Sequence, residues 1–117
     1  MRKQRILIVD DEREVCLLLE NYLLRKNHLV SYSTTLTEAF AKFPAFEPTF
    51  LILDHNMPDG YGIENIQKFK ELNNNLCVLI ISAMSNLRED ALAKGADFFL
   101  EKPIKLSTLN SIINGDN

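Results

Sequence analysis

Phe50-Leu51-Ile52-Leu53-Asp54-His55-Asn56-Met57-Pro58-Asp59-Gly60 drives an apolar run straight into a bare carboxylate. Four consecutive strand-forming side chains suit a strand covered on both faces, as in a parallel sheet. Such a strand does not ordinarily end on an unpaired acid. Two other junctions repeat the pattern: Ile6-Leu7-Ile8-Val9 runs into Asp10-Asp11, and Leu76-Cys77-Val78-Leu79-Ile80-Ile81 runs into Ser82. If the three runs are neighbouring parallel strands, three carboxylates and a hydroxyl meet at one sheet edge.

Between these runs the pattern alternates strand and helix five times. Strands are expected at Arg5 to Val9, Leu29 to Ser33, Thr49 to Leu53, Leu76 to Ile81 and Phe98 to Leu100. The first helix, Glu12 to Arg25, carries Val15, Leu18, Leu19, Tyr22 and Leu23 on one face. Thr35 with Glu38 forms a capping box that opens the second helix, and Pro44 is expected to stop it. A third helix spans Gly62 to Leu72 with Ile63, Ile66 and Phe69 inward, until Asn73-Asn74-Asn75 breaks it. A short helix from Leu87 to Lys94 ends at Gly95, which suits a left-handed cap, and the last runs from Leu106 to Ile113. Phe98 and Phe99 should point to opposite faces of their strand.

Alternating strands and helices build right-handed βαβ units. The expected architecture is an α/β fold: one doubly wound, five-stranded parallel sheet of order 2-1-3-4-5, with helices on both faces. In open sheets of this kind a site forms beyond the carboxyl ends of the strands. Asp10, Asp11, Asp54 and Ser82 fall there, as does Lys102 after the fifth strand.

The totals agree. A chain of 117 residues suits one domain over residues 1–117, and 46% hydrophobic with 25% charged residues describes an ordinary globular protein. Net charge −3 argues against a nucleic-acid face, since phosphate backbones need a clustered positive surface. The basic cluster Arg2-Lys3-Arg5 reads as a solvated lead-in. Cys16 and Cys77 lack CxxC spacing and read as reduced core or near-core thiols. No run reaches the ~18 apolar residues of a membrane span. A cytoplasmic protein is expected.

Three carboxylates within a few ångströms repel strongly without a cation among them. An all-oxygen ligand set with no His or Cys favours Mg²⁺, which keeps several of its waters. One such ion and the Lys102 ammonium roughly cancel the three charges. A site of that kind suits an incoming phosphoryl group, with metal and lysine on its oxygens while a carboxylate attacks phosphorus.

Taken singly, each of these residues has a plainer use. A lone Asp at a strand end is usually a turn or cap residue, Ser82 alone is more often a cap, and Lys102 alone is usually solvated. His55 reads as an exposed loop residue, because no second His or Cys lies at ligand spacing, and His28 as a residue of the turn before the second strand. Their coincidence at one edge carries the functional reading.

Asp10-Asp11, the Leu53-Asp54-His55-Asn56-Met57-Pro58 stretch, Ser82-Ala83 and Lys102-Pro103 together resemble the receiver domain of two-component response regulators, along the whole chain and in order. The resemblance implies a role for each position. Asp54 would be the phosphoacceptor. Asp11 would bind Mg²⁺ directly, Asp10 through water, and Asn56 through its backbone carbonyl. Ser82 and Lys102 would hold phosphoryl oxygens, and Phe99 stands where the family keeps an aromatic switch residue, more often Tyr. The Lys102-Pro103 bond would be cis, an isomer that costs an X-Pro bond only about 0.5–1 kcal/mol.

The implied function is a Mg²⁺-dependent signalling switch rather than an enzyme. It would be charged by a sensor histidine kinase or phosphotransfer protein. Its output would be a phosphorylation-dependent dimer or output partner, engaged through helix 4, strand 5 and helix 5. Leu87, Arg88, Ala91, Phe99, Lys105 and Leu109 would form that face. Phosphorylation would draw Ser82 in and let Phe99 turn inward behind it. The alternative is a small Mg²⁺-dependent phosphatase with an aspartyl nucleophile. It is disfavoured because Asn56 stands where such enzymes keep a general acid, two residues after the nucleophile.

Overall fold

The computed structural model describes residues 3–115. The chain runs β1 (Arg5–Val9), α1 (Arg13–Arg25), β2 (Leu29–Ser33), α2 (Leu36–Phe46), β3 (Phe50–Asp54), a two-residue ribbon pairing Asn56–Met57 with Gly60–Tyr61, and α3 (Gly62–Leu72). It continues with β4 (Cys77–Ser82), a 3₁₀ turn (Ser85–Leu87) leading into α4 (Arg88–Ala93), β5 (Phe98–Glu101) and α5 (Leu106–Asn114). The five long strands form one parallel sheet of order β2-β1-β3-β4-β5, as the alternation of elements requires.

Successive side chains of each strand divide between two cores. Leu7, Val9, Leu51, Leu53, Val78 and Ile80 meet Phe43, Ile66 and Phe69 on the α2–α3–α4 side. Ile6, Ile8, Ile52, Leu79 and Ile81 meet Cys16, Leu19, Leu23, Leu109 and Ile113 on the α1–α5 side. This double burial explains why the central strands read as continuous apolar runs. Each fully buried Leu or Ile contributes about 1.5–3 kcal/mol relative to exposure. Any polar group in the same layer therefore sits there against a strong apolar preference.

Several expectations need correction. Leu18 is 58% exposed, and Cys16 takes the inward position on α1 with Leu19 and Leu23. Pro44 does not end α2. It lies inside the last turn, and the helix stops at Glu47 in a left-handed conformation. Arg5 is no solvated end: its Nε donates to the Phe46 carbonyl at 2.7 Å and its guanidinium lies over the Phe46 ring. Arg2, the other arginine of that cluster, lies outside the described residues. Phe98 and Phe99 point to opposite faces, as their alternation predicts, and Phe99 is the buried one while Phe98 is 38% exposed. Gly95 ends the α4 segment at φ +109.

Candidate functional site

Register brings the strand ends together. Val9 pairs with Leu53, Asp54 with Ile81, and Ser82 with Glu101. Asp10 and Asp54 therefore stand on adjacent strands at the carboxyl edge. Both are almost completely buried. The Lys102 ammonium, just past β5, lies 3.0 Å from Asp10 Oδ2, 3.2 Å from Asp54 Oδ2 and 3.5 Å from Glu12 Oε1. A backbone bond from Lys102 N to Ser82 O at 2.8 Å seats this lysine against β4. The Lys102–Pro103 peptide is cis.

Asp11 and Asn56 are exposed and, with Glu12, Asp54, Ala83 and Lys102, line a crevice of about 250 Å³. Carboxylate oxygens of Asp10, Asp11 and Glu12 lie within 4.8 Å of one another. The single ammonium does not balance this charge. Burial, reinforced by the Asp10 carboxylate, pushes Asp54 up to about 6 despite the pull of Lys102. Burial also raises Asp10. Burial pulls Lys102 down, but Asp10 and Asp54 outweigh it and hold the ammonium above its ordinary range. A crowded set of hard oxygen donors with uncompensated negative charge fits a small divalent cation such as Mg²⁺.

Ser82 is buried at the end of β4, and its Oγ accepts from Met84 N at 3.0 Å. The hydroxyl proton remains free to donate. Behind the site, Gly62 opens α3 where an added Cβ would sit 2.4 Å from the Asp54 carbonyl oxygen, so only glycine fits. Gly62 N donates to His55 O at 2.7 Å. His55 is half-buried rather than exposed. Its ring stacks on Tyr61 at 5.1 Å and its Nδ1 accepts from Ile63 N, so it braces the loop instead of facing the crevice.

Two expectations about switching change. Phe99 already points inward, 3% exposed, beneath the Arg88 guanidinium at 5.1 Å. Ala91 and Leu109 are core residues with no exposure, so of the anticipated output face only Leu87, Arg88 and Lys105 reach the surface. Met84, Leu92 and Phe98 are the exposed apolar side chains around α4 and β5. Two residues escaped the sequence reading. Glu12 was visible as the third acid of Asp10-Asp11-Glu12. Asp59, within Pro58-Asp59-Gly60, carried only a turn signal.

The sequence model of the response regulator receiver domain matches residues 6–114. This chain belongs to that family. It is 27% identical to the chemotaxis protein CheY of Thermotoga maritima, covering 95% of both chains. It is 31% identical to a protein-glutamate methylesterase/protein-glutamine glutaminase of Trichodesmium erythraeum over 97% of this chain, but spans only 34% of that relative's length. Among solved structures, a response regulator receiver domain from Bermanella marisrubri superposes with a TM-score of 0.85 at 30% identity, covering 94% of each chain. Receiver domains are phosphorylation-dependent signalling switches that interact with histidine kinases or phosphotransfer proteins and bind Mg²⁺ at an acidic pocket. Among the described residues, no helix is long and apolar enough to cross a membrane.

Proposed function

We propose that residues 1–117 act as a cytoplasmic receiver domain in which Asp54 accepts a phosphoryl group from a histidine kinase or phosphotransfer protein. One observation carries this reading: Asp54 is a buried carboxylate that borders an open acidic crevice, with Lys102 bound to its Oδ2. Oδ1 is left as the nucleophile. Its attack on phosphorus forms the O–P bond as the donor's N–P bond breaks and the imidazole nitrogen leaves. Asp11, Asp54 and the Asn56 carbonyl would hold Mg²⁺, with Asp10 assisting through water. The ion would neutralise charge developing on the phosphoryl oxygens. Lys102 takes one of those oxygens and the Ser82 hydroxyl proton another. Asn56 offers no carboxyl to act as a general acid, which argues against turnover as a phosphatase.

Beside the crevice, Val15, Leu18, Leu19, Ala83, Pro103, Ile104 and Leu106 line an apolar groove of about 440 Å³ that shares Glu12 and Lys102 with the site. This continuity suits the donor's surface during transfer, and the exposed Leu18 is its natural anchor. Output would use the α4–β5–α5 face, now drawn with Met84, Arg88, Leu92, Phe98 and Lys105 as its surface. Its mix of apolar and charged side chains suits a transient partner or a dimer. Because Phe99 is already inward, phosphorylation would favour that position rather than create it.

Incubation with a small-molecule phosphodonor and Mg²⁺ should add one phosphoryl group by intact mass, absent in Asp54→Asn. Equal labelling of Asp54→Asn overturns the assignment.

A further inference from the structure

The amides that open α2 are capped from two sources. Thr35, the N-cap, accepts from Glu38 N at 3.0 Å in the ordinary way. The first two amides are taken by a residue more than twenty positions downstream. Leu36 N donates to Asp59 Oδ1 at 2.9 Å, and Thr37 N and Thr37 Oγ1 donate to Asp59 Oδ2 at 2.8 and 2.7 Å. Those bonds hold the Asp59 carboxyl below its usual range, so it is ionised when it makes them.

Asp59 stands at the turn of the ribbon in which Asn56 pairs with Tyr61 and Met57 with Gly60. The ribbon is pressed against α2 there. Met57 is buried in the same core as Leu36, and a Cβ on Gly60 would lie 3.0 Å from Leu36 Cδ1. Its other end is fixed where Gly62 N meets His55 O. Asn56 lies between these anchors, on the crevice wall.

We propose that Asp59 is a positioning residue for the Mg²⁺ site: by clamping the ribbon to the start of α2 it fixes Asn56, whose carbonyl would hold the ion, at the crevice wall. The proposal rests on the receiver function set out above. A metal ligand supplied by main chain has no side-chain torsion to adjust, so its placement depends on what holds the loop. Outer partners of metal ligands commonly alter affinity by tenfold or more when removed.

The test compares Asp59→Ala with Thr35→Ala, titrating Mg²⁺ into each and measuring the dissociation constant. Thr35→Ala loosens the same helix start but leaves the ribbon clamp intact. Asp59→Ala should weaken Mg²⁺ binding by about tenfold, while Thr35→Ala binds like wild type. Phosphorylation of Asp59→Ala should recover at saturating Mg²⁺, because no reacting group is lost. If Asp59→Ala unfolds, Asp59→Asn, with the same size and one acceptor, carries the same comparison. Unchanged affinity in the Asp59 variant, or an equal loss in Thr35→Ala, overturns the positioning role alone. Wild-type protein that binds no Mg²⁺ overturns the receiver chemistry, and this proposal with it.

Discussion

The two ends of the sheet treat polar groups in opposite ways. At the amino ends the strand starts meet hydrogen-bond partners, although the buried His28 Nε2 has none. Gln4 N donates to His28 Nδ1, Arg5 N to Thr49 Oγ1, Thr49 Oγ1 to Gln4 Oε1, and Val78 N to Asp97, which Lys70 also pairs. At the carboxyl ends buried acids crowd one lysine, and Asp10 and Asp54 both resist ionisation. The same strands thus begin without unbalanced buried charge, Asp97 being paired with Lys70, and end on acids that one lysine does not relieve. Local conflict that the fold could have avoided is concentrated where the chemistry is expected.

Mutation should separate the ends by sign. His28 is 2% exposed, so His28→Ala removes packing and strands the Gln4 amide, costing about 2–4 kcal/mol. Asp54→Asn, in contrast, should stabilise the metal-free protein at neutral pH by on the order of 1–2 kcal/mol, since it deletes a buried charge that lacks full compensation. Urea unfolding in the presence of a chelator measures both. Two destabilising results would erase the contrast. Addition of Mg²⁺ should stabilise wild type and leave Asp54→Asn nearly unmoved.

A finer version of the contrast lies in its pH dependence. The folded-state value for Asp54, about 6, exceeds the ordinary 3.8. The folded protein then binds the proton more tightly than the unfolded chain. This contribution to stability is complete below about 3.8 and is lost as pH rises through 6. The advantage of Asp54→Asn over wild type should therefore be large at pH 7 and fade toward pH 4. Burial shifts His28 the other way, below 6.5, so it destabilises as pH falls through its folded-state value. Melts of wild type, Asp54→Asn and His28→Gln across this range resolve the two slopes; a constant difference between Asp54→Asn and wild type would remove the charge-conflict account.

The strands and their terminal acids were legible because burial on both faces leaves an unbroken apolar run, and an acid ending such a run has no structural excuse. That Phe98 and Phe99 part to opposite faces was legible from the two-residue period; that Phe99 is the inward one was not. What escaped depended on partners distant in sequence. Leu18 shares helical spacing with Val15 and Tyr22, yet it faces the groove beside the crevice, so it looks like core in the pattern while standing in solvent. Ala91 and Leu109 were placed on the output face, although both are fully buried. Asp59 could not be distinguished from any turn aspartate, since its partners Leu36 and Thr37 open a helix more than twenty residues earlier.

The smallest expected change in stability belongs to Ser82→Ala. Its Oγ closes a local turn by accepting from Met84 N, an exchange of one hydrogen bond worth about 1 kcal/mol. The carboxylates, the lysine and the crevice are untouched, so phosphorylation of Asp54 should persist. What should weaken is transmission. A phosphoryl group shifts a two-state equilibrium only through contacts that differ between the states, and the Ser82 hydroxyl proton is the donor at the end of β4. Lys102 N is bonded to the Ser82 carbonyl, and β4 and β5 are paired from Leu79–Phe98 to Ser82–Glu101. Movement of Ser82 therefore reaches β5 directly and Phe99 through Ile80. Backbone amide shifts with a phosphate mimic should spread to β5 and α4 in wild type and stay near Asp54 in Ser82→Ala. Equal spread in both proteins would assign the coupling to Lys102 instead, and the carboxyl edge would then act through its charges alone.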